Sequence, residues 1–167
     1  LSLHDALPIC SVAHGLFETH SLNSFVTDSA AASSAWGSGS RVANGAVNTL
    51  PDGTKLKPIF GLAKEKGWGT GAVTTVSVTH ATPAGFATSH PKRSGEETIA
   101  VNYLDSVDVI MGGGISKFRA SRRSDQRDLE KDFASAGYSV VNHRDEMLRL
   151  TGTEEKILGL FSNGALP

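Results

Sequence analysis

The stretch "VTDSAAASSAW" places Asp28 and Ser29 directly ahead of a run of small residues. That run predicts a helix, and the first turn of a helix presents unpaired N–H groups and the positive end of the dipole. A serine at this point is well placed to accept a phosphoryl group, because an anion is stabilised there. Asp and Ser are also the commonest residues at helix N-caps, so a purely structural role is the alternative.

Two further stretches carry groups that bind metals or anions. In "THATPAGF", Pro83 predicts a helix start and leaves His80 and Thr82 in a loop, where both can address a metal ion or its waters. Arg93 follows thirteen residues after His80, and its planar fork matches a pair of phosphate oxygens. The alternatives are a capped helix with a structural histidine and a solvated surface arginine.

The triple glycine, Gly112 to Gly114, follows a predicted strand. It either lets the backbone approach a ligand or simply turns the chain. The glycines lack the GxGxxG spacing and no lysine stands at P-loop spacing, so nucleotide binding is not supported. No GxSxG motif is present, which argues against a serine esterase.

Short Val- and Ile-rich segments alternate with helical patterns along the chain. Buried strands are predicted over 70–76 and 107–114, and further strands over 138–141 and 156–161. Helices are predicted over 29–47, 58–67, 94–105 (with a capping box from Ser94 to Glu97), 124–137 and 144–150. This alternation predicts an α/β fold with a parallel sheet, whose sites lie in loops at the carboxyl ends of the strands.

The composition limits the function classes. The chain has 167 residues, 39% of them hydrophobic, with 16 basic and 17 acidic residues, so one domain is expected and nucleic acid is not suggested as a partner. No apolar run approaches the roughly 18 residues of a membrane span. The single cysteine, Cys10, excludes an internal disulfide. The arginine-rich stretch "FRASRRSDQR" is expected to be solvated. Residues 1–9 are expected to be a non-native leader, and 10–167 a partial catalytic domain.

In order and spacing, "VTDSAAASSAW", "THATPAG", Arg93, "DVIMGGG" and "LGLFSNGALP" resemble the alkaline phosphatases, from about Thr19 onward. The resemblance implies a three-layer α/β/α sandwich with a largely parallel central sheet, present here as a partial domain. It also implies a phosphomonoesterase with two zinc ions and one magnesium ion, which acts on a broad range of small phosphate monoesters.

By position, the resemblance assigns a role to each candidate residue. Ser29 is implied to be the nucleophile that becomes phosphorylated and to bind zinc through its oxygen. Asp28 orients Arg93, which binds two non-bridging phosphate oxygens. Thr82 is implied to be a magnesium ligand, and His80 stands near the same third metal site. Because histidine is a softer ligand than a carboxylate, we hypothesise that this third site also tolerates a transition metal.

Most zinc ligands of the family lie in segments that this sequence lacks, and neither His20 nor His143 matches one of them. The 167-residue chain alone is therefore expected to be inactive. For the complete protein, the resemblance implies export to the periplasm or the cell exterior and a homodimer. A phosphodiesterase, a sulfatase-type hydrolase and a non-catalytic phosphate-binding protein of the same fold remain alternatives.

Overall fold

The computed structural model describes residues 18–167, so the expected leader and Cys10 lie outside the described residues. The strands are β1 (Gly71–Ser77), β2 (Val109–Gly113), β3 (Ser139–Val141) and β4 (Ile157–Leu160). The helices are α1 (Ser29–Ser38), α2 (Ile59–Glu65), α3 (Ala81–Ala87), α4 (Glu96–Ser106), α5 (Leu129–Ser135) and α6 (Arg144–Met147). Two short 3₁₀ helices, Ile115–Lys117 and Ala120–Arg122, follow β2. None of the helices in this part of the chain has the length and apolarity needed to cross a bilayer.

The four strands form one sheet in the order β1-β2-β4-β3, and every neighbouring pair is parallel. The α/β class with a parallel sheet is therefore confirmed. Ile110 and Leu158, which are partners in the β2–β4 pairing, are fully buried in a core that also contains Tyr103 of α4 and Phe133 of α5. The side chain of Val73 in β1 is 78% exposed. The prediction of a strand at 70–76 is thus right, but its burial is wrong, because β1 stands at one end of the sheet.

The triple glycine allows close packing at the end of β2. A Cβ on Gly113 would lie 1.7 Å from the carbonyl oxygen of Gly164, and one on Gly114 would lie 2.2 Å from Oγ of Ser77. Each glycine therefore lets β2 touch a neighbouring stretch of this same chain. These contacts account for the glycines without a bound ligand.

Two predicted helix starts and ends differ from the structure. The helix predicted over 29–47 ends at Ser38, because Gly39 adopts a left-handed conformation with φ +72° and its N–H donates to the carbonyl of Ala35. Thr82, expected in a loop, lies inside α3, and His80 is the N-cap of that helix.

The capping box predicted from Ser94 to Glu97 does not form. The N-cap of α4 is Gly95, which has no side chain to accept a hydrogen bond. The carboxylate of Glu97 instead accepts hydrogen bonds from the backbone N–H and the hydroxyl of Ser124. These bonds lower the pKa of Glu97 below its ordinary value. The side chain thus fixes a distant loop rather than its own helix end.

One arginine of the stretch expected to be solvated is buried. Arg123 is only 5% exposed, and its guanidinium makes two hydrogen bonds to the Asp125 carboxylate, which lower the pKa of that carboxyl to about 2. Arg123 also donates to the carbonyls of Glu97 and Lys117. The expectation is wrong for this residue because its guanidinium makes four hydrogen bonds, which join α4 to the segment between β2 and α5.

Helices α1 and α3 touch backbone to backbone. A Cβ on Gly37 of α1 would lie 1.9 Å from the carbonyl oxygen of Gly85 of α3, and one on Gly85 would lie 2.3 Å from Oγ of Ser33. The Ser33 hydroxyl donates to the carbonyl of Ala81 at 2.8 Å. Buried Asn48 donates its side-chain amide to the carbonyl of Gly85 at 2.6 Å. Because Gly37 and Gly85 have no side chains, the two helices pack closer together at their crossing than other residues would allow.

We expect Gly85→Ala to destabilise the complete protein by about 1–3 kcal/mol or more, because the added methyl group forces α1 and α3 apart. Thermal or denaturant unfolding measures the effect. Gly61→Ala is the matched control, since Gly61 also lies in a helix but its Cβ would meet only the Lys57 side chain at 3.5 Å. That control should be neutral or stabilising by up to about 1 kcal/mol. Equal losses in the two variants would contradict this account of the crossing.

Candidate active site

The amino terminus of α1 is capped by Asp28 rather than by Ser29. Asp28 has an extended backbone, and its Oδ1 accepts the N–H of Ala31 at 2.9 Å. Ser29 is the first helical residue, so its hydroxyl is not needed for the cap. The two roles considered for this stretch therefore fall on adjacent residues.

The guanidinium of Arg93 reaches both residues at the start of α1. Its Nη1 lies 2.7 Å from Ser29 Oγ and 3.2 Å from Asp28 Oδ2. The side chains of Arg93 and Asp28 are 34% and 27% exposed. A partly buried arginine fixed by a carboxylate beside a hydroxyl is a suitable arrangement for binding a tetrahedral oxyanion.

His80 lies on the other side of the guanidinium. Its Nε2 is 2.9 Å from Nη2 of Arg93, and its Nδ1 is 3.5 Å from the N–H of Thr82. Burial lowers the pKa of His80, the positive charge of Arg93 lowers it further, and the charge of Glu96 partly opposes this. Because a guanidinium can only donate, Nε2 accepts the hydrogen bond from Arg93, whereas the contact of Nδ1 with the Thr82 N–H is too long for a strong hydrogen bond.

Four of the five sequence-predicted site residues are in hydrogen-bond contact, namely Asp28, Ser29, His80 and Arg93. The fifth, Thr82, is exposed and lines an open cavity of about 350 Å³ beside β1. Its backbone adjoins His80, but its side chain lies outside the hydrogen bonds of the other four.

Sequence reasoning missed the turn at Asn44 and Gly45, which contacts both ends of the Asp28–Arg93 pair. The N–H of Gly45 donates to Asp28 Oδ2 at 3.0 Å, and its carbonyl accepts the N–H of Arg93 at 2.7 Å. The amide oxygen of Asn44 accepts the N–H of Asp28 at 3.1 Å. The Asn-Gly dipeptide is a signal for a tight turn, but the predicted helix over 29–47 covered it.

A second connection that sequence reasoning missed joins the start of α4 to the loop that carries His80. Thr79 is fully buried, and its hydroxyl donates to Glu96 Oε2 at 2.6 Å. Ser77 donates to the same oxygen at 3.3 Å, and Nζ of Lys117 lies 3.9 Å from Oε1. Because Arg93 stands three residues before Glu96, this connection holds the arginine segment against the histidine loop.

Residues 18–167 contain no cluster of three or more His, Cys, Asp or Glu side chains that would hold a metal ion. Ser29 Oγ, the His80 imidazole and the Thr82 hydroxyl are chemically suitable single ligands. The Asp28 carboxylate already accepts three N–H donors. The described residues therefore fit metal sites as contributors, and further ligands would be needed to complete each one.

His20 and His143, the two histidines that match no zinc ligand of the family, lie at the surface or at a helix end. His143 is the N-cap of α6, where Glu146 forms a capping box with it. The His20 side chain is 40% exposed and lies 3.9 Å from Glu18. Neither histidine is part of a possible metal cluster in the described chain.

Comparison with known proteins connects this geometry with one family. The family described as alkaline phosphatase matches residues 4–167. Alkaline phosphatase 3 of Bacillus subtilis is 42% identical over 149 residues, which cover 85% of this chain and 31% of that protein. The chain thus spans about a third of the length of this relative. The match begins inside residues 1–9, and the division of the chain at residue 10 stays a prediction.

Solved structures give the same result. The alkaline phosphatase of Thermus thermophilus superposes with a TM-score of 0.86 at 45% identity, over 92% of this chain and 32% of that one. A mutant of the alkaline phosphatase from the Antarctic bacterium TAB5, with a histidine replaced by aspartate and magnesium bound in its M3 site, superposes with a TM-score of 0.83. It is 31% identical over 92% of this chain and 44% of that one.

We expect Thr79→Val to destabilise the complete protein by about 1.5–3 kcal/mol, because the Glu96 carboxylate loses a buried donor while the side-chain volume is kept. Unfolding measurements at neutral pH test this. Thr98→Val, at an exposed position of α4, is the matched control and should change stability by less than about 0.5 kcal/mol. A Thr79→Val protein as stable as the control would show that this hydrogen bond does not hold the two segments together.

Proposed function

The chain belongs to the alkaline phosphatase family, and we propose that the complete protein hydrolyses phosphate monoesters through a phosphoserine at Ser29. The observation that carries the proposal is the 2.7 Å contact between Ser29 Oγ and the Arg93 guanidinium at the start of α1. A nucleophile and an anion-binding group are thereby held on one small surface.

In the proposed reaction, the Ser29 oxygen attacks the phosphorus of the monoester in line with the leaving oxygen. The Ser29 Oγ–P bond forms as the hydroxyl gives up its proton, and the bond from phosphorus to the leaving oxygen breaks, so that this oxygen takes up a proton and departs as the alcohol. Water then attacks the phosphoserine, which releases inorganic phosphate and returns the hydroxyl of Ser29. The Arg93 guanidinium binds two non-bridging oxygens and neutralises charge as it spreads over them. Asp28 holds the guanidinium in place, and the helix dipole of α1 favours the bound anion.

Two zinc ions and one magnesium ion, when bound, would lower the pKa of the serine hydroxyl and activate the hydrolytic water. We propose that Ser29 Oγ contributes to a zinc site, and that His80 and Thr82 contribute to the third metal site. The lowered pKa of His80 favours the neutral imidazole that a metal ligand requires, and the Nε2 lone pair that accepts from Arg93 would then be donated to the metal. The magnesium in the M3 site of the TAB5 mutant supports a metal at the corresponding place. The tolerance of a transition metal at the third site, the expected export and the homodimer stay predictions.

The decisive experiment is an assay of the complete protein with p-nitrophenyl phosphate and bis(p-nitrophenyl) phosphate. We expect Ser29→Ala to abolish the phosphoenzyme and most of the monoesterase activity, because in the described part of the chain Ser29 supplies the one hydroxyl that contacts Arg93 at the start of α1. We expect Arg93→Ala to weaken phosphate binding and to lower kcat/KM by about 100-fold or more, because two charge-assisted hydrogen bonds of about 1.5–3 kcal/mol each are lost. Kinetics and mass spectrometry of the trapped phosphoenzyme measure both effects.

Matched controls separate these roles from general damage. Ser38→Ala removes a hydroxyl that donates to the Ser34 carbonyl at the other end of α1, and Arg127→Ala removes an exposed ion pair with Asp132. Both should keep the parent kinetics. A preference for the diester would indicate a phosphodiesterase, and phosphate binding without turnover would indicate a non-catalytic protein. Equal losses in Ser29→Ala and Arg93→Ala would contradict the separate roles.

We expect the purified 167-residue chain to show no hydrolysis of p-nitrophenyl phosphate, even with added zinc and magnesium. The physical reason is that residues 18–167 supply single metal ligands and no cluster of three acidic, histidine or cysteine side chains. The complete protein assayed under the same conditions is the control. Zinc-dependent turnover by the chain alone would refute the expectation.

A further inference from the structure

We infer that the turn at Asn44 and Gly45 is a positioning element that sets the distance and angle between Asp28 and Arg93, and thereby the affinity of the site for phosphate. The inference rests on the proposed function, since it concerns the same anion site. Neither residue contacts the reacting atoms in the proposed mechanism. Their effect passes through Asp28 and Arg93.

The Gly45 backbone closes a ring of hydrogen bonds with the ion pair. Its N–H donates to Asp28 Oδ2 at 3.0 Å, and its carbonyl accepts the N–H of Arg93 at 2.7 Å. The same Asp28 oxygen accepts Nη1 of Arg93 at 3.2 Å. Two residues 65 positions apart are thus connected both directly and through one glycine.

The conformation of Gly45 decides where these two bonds point. The N–H and the carbonyl of a residue belong to different peptide planes, so φ and ψ of Gly45 set the angle between them. Gly45 has φ +85° and stands third in a turn closed by the Ala46 N–H to Ala43 carbonyl bond of 3.1 Å. A Cβ at this position would meet no atom within 4 Å. The position therefore requires glycine for its backbone conformation and not for lack of space.

Asn44 fixes the same turn against the irregular segment that precedes α1. Its amide oxygen accepts the N–H of Asp28 at 3.1 Å, and its amide nitrogen donates to the carbonyl of Val26 at 2.9 Å. The N–H of Asn44 donates to Asn23 at 2.9 Å. The side chain thus binds the backbone on either side of Thr27 through two hydrogen bonds.

A separate connection keeps the turn attached when Gly45 is disturbed. Val47 and His90 form an antiparallel bridge, with N–H to carbonyl distances of 2.9 and 2.8 Å. A substitution at Gly45 should therefore change the geometry between Asp28 and Arg93 without detaching the segment. This distinguishes a positioning role from a merely structural one.

The test compares Gly45→Ala with Gly53→Ala in the complete protein. Gly53 has φ +87° in an exposed turn, and its Cβ would also meet nothing within 4 Å, so the two alanines carry the same backbone strain. We expect similar melting temperatures for both variants. We expect the inhibition constant of inorganic phosphate, and KM for p-nitrophenyl phosphate, to rise at least about fivefold in Gly45→Ala alone. Equal phosphate affinity in the two variants would overturn the inference.

Asn44→Ala provides a second, independent test in case Gly45→Ala fails to fold. Its control is Asn102→Ala, which removes an amide that donates to Thr88 Oγ1 at 3.0 Å. We expect Asn44→Ala to raise the phosphate inhibition constant by several-fold and Asn102→Ala to leave it unchanged. The same constant in both asparagine variants would count against a positioning role for the Asn44 side chain.

A double-mutant cycle shows whether the effect passes through Arg93. In an Arg93→Ala background, Gly45→Ala and Asn44→Ala should raise the phosphate inhibition constant no further, and independent, multiplying effects would overturn the inference. The parent protein and Arg93→Ala report on the proposed function. If Arg93→Ala binds phosphate as tightly as the parent, both the proposed function and the inference that rests on it are wrong. If Arg93→Ala weakens binding while both turn variants match their controls, the inference alone fails.

Discussion

The close contact of α1 with α3 is the constraint on which the candidate site depends. Ser29 opens one of these helices and His80 caps the other, so the separation of the two axes fixes how far apart the hydroxyl and the imidazole stand. Gly37 and Gly85 remove the side chains that would hold the backbones apart. Buried Asn48 then satisfies carbonyls that this contact would leave without partners.

The electrostatic arrangement follows from that packing. The guanidinium of Arg93 lies between a carboxylate, a hydroxyl and a neutral imidazole, and these contacts use three of its five N–H donors. Asp28 accepts donors from α1, from the Gly45 turn and from Arg93, so its carboxylate is held in one orientation. A partly buried guanidinium attracts an incoming anion more strongly than a freely solvated one, because water around a solvated arginine screens its charge. The single carboxylate of Asp28 fixes the position of the guanidinium.

The sequence predicted well what depends on local chemistry. The alternation of Val- and Ile-rich segments with helices predicted the parallel sheet, and the resemblance to the alkaline phosphatases implied that Ser29, Asp28 and Arg93 belong together. It predicted poorly what depends on a single backbone conformation or on distant packing. Gly37, Gly39 and the Asn44-Gly45 dipeptide are all local signals for the end of a helix, and the sequence alone does not show which of them ends α1. Likewise, the spacing from Ser94 to Glu97 favours a capping box, but the Glu97 carboxylate binds Ser124, which lies 27 positions away.

The same reasoning explains why the residues of the proposed anion site come together in residues 18–167 while those of a metal site do not. Each contact of Arg93 is made with a residue between positions 28 and 93, so the helix crossing and the Gly45 turn are enough to assemble it. A metal ion needs three or four ligands converging on one point, and residues 18–167 provide no such convergence. In the proposed enzyme, phosphate recognition is thus built into this part of the chain by packing, and metal ligation has to be supplied by residues that pack onto it. Substitutions around Arg93 would then alter phosphate affinity, while the metal content would be governed mainly by the rest of the protein.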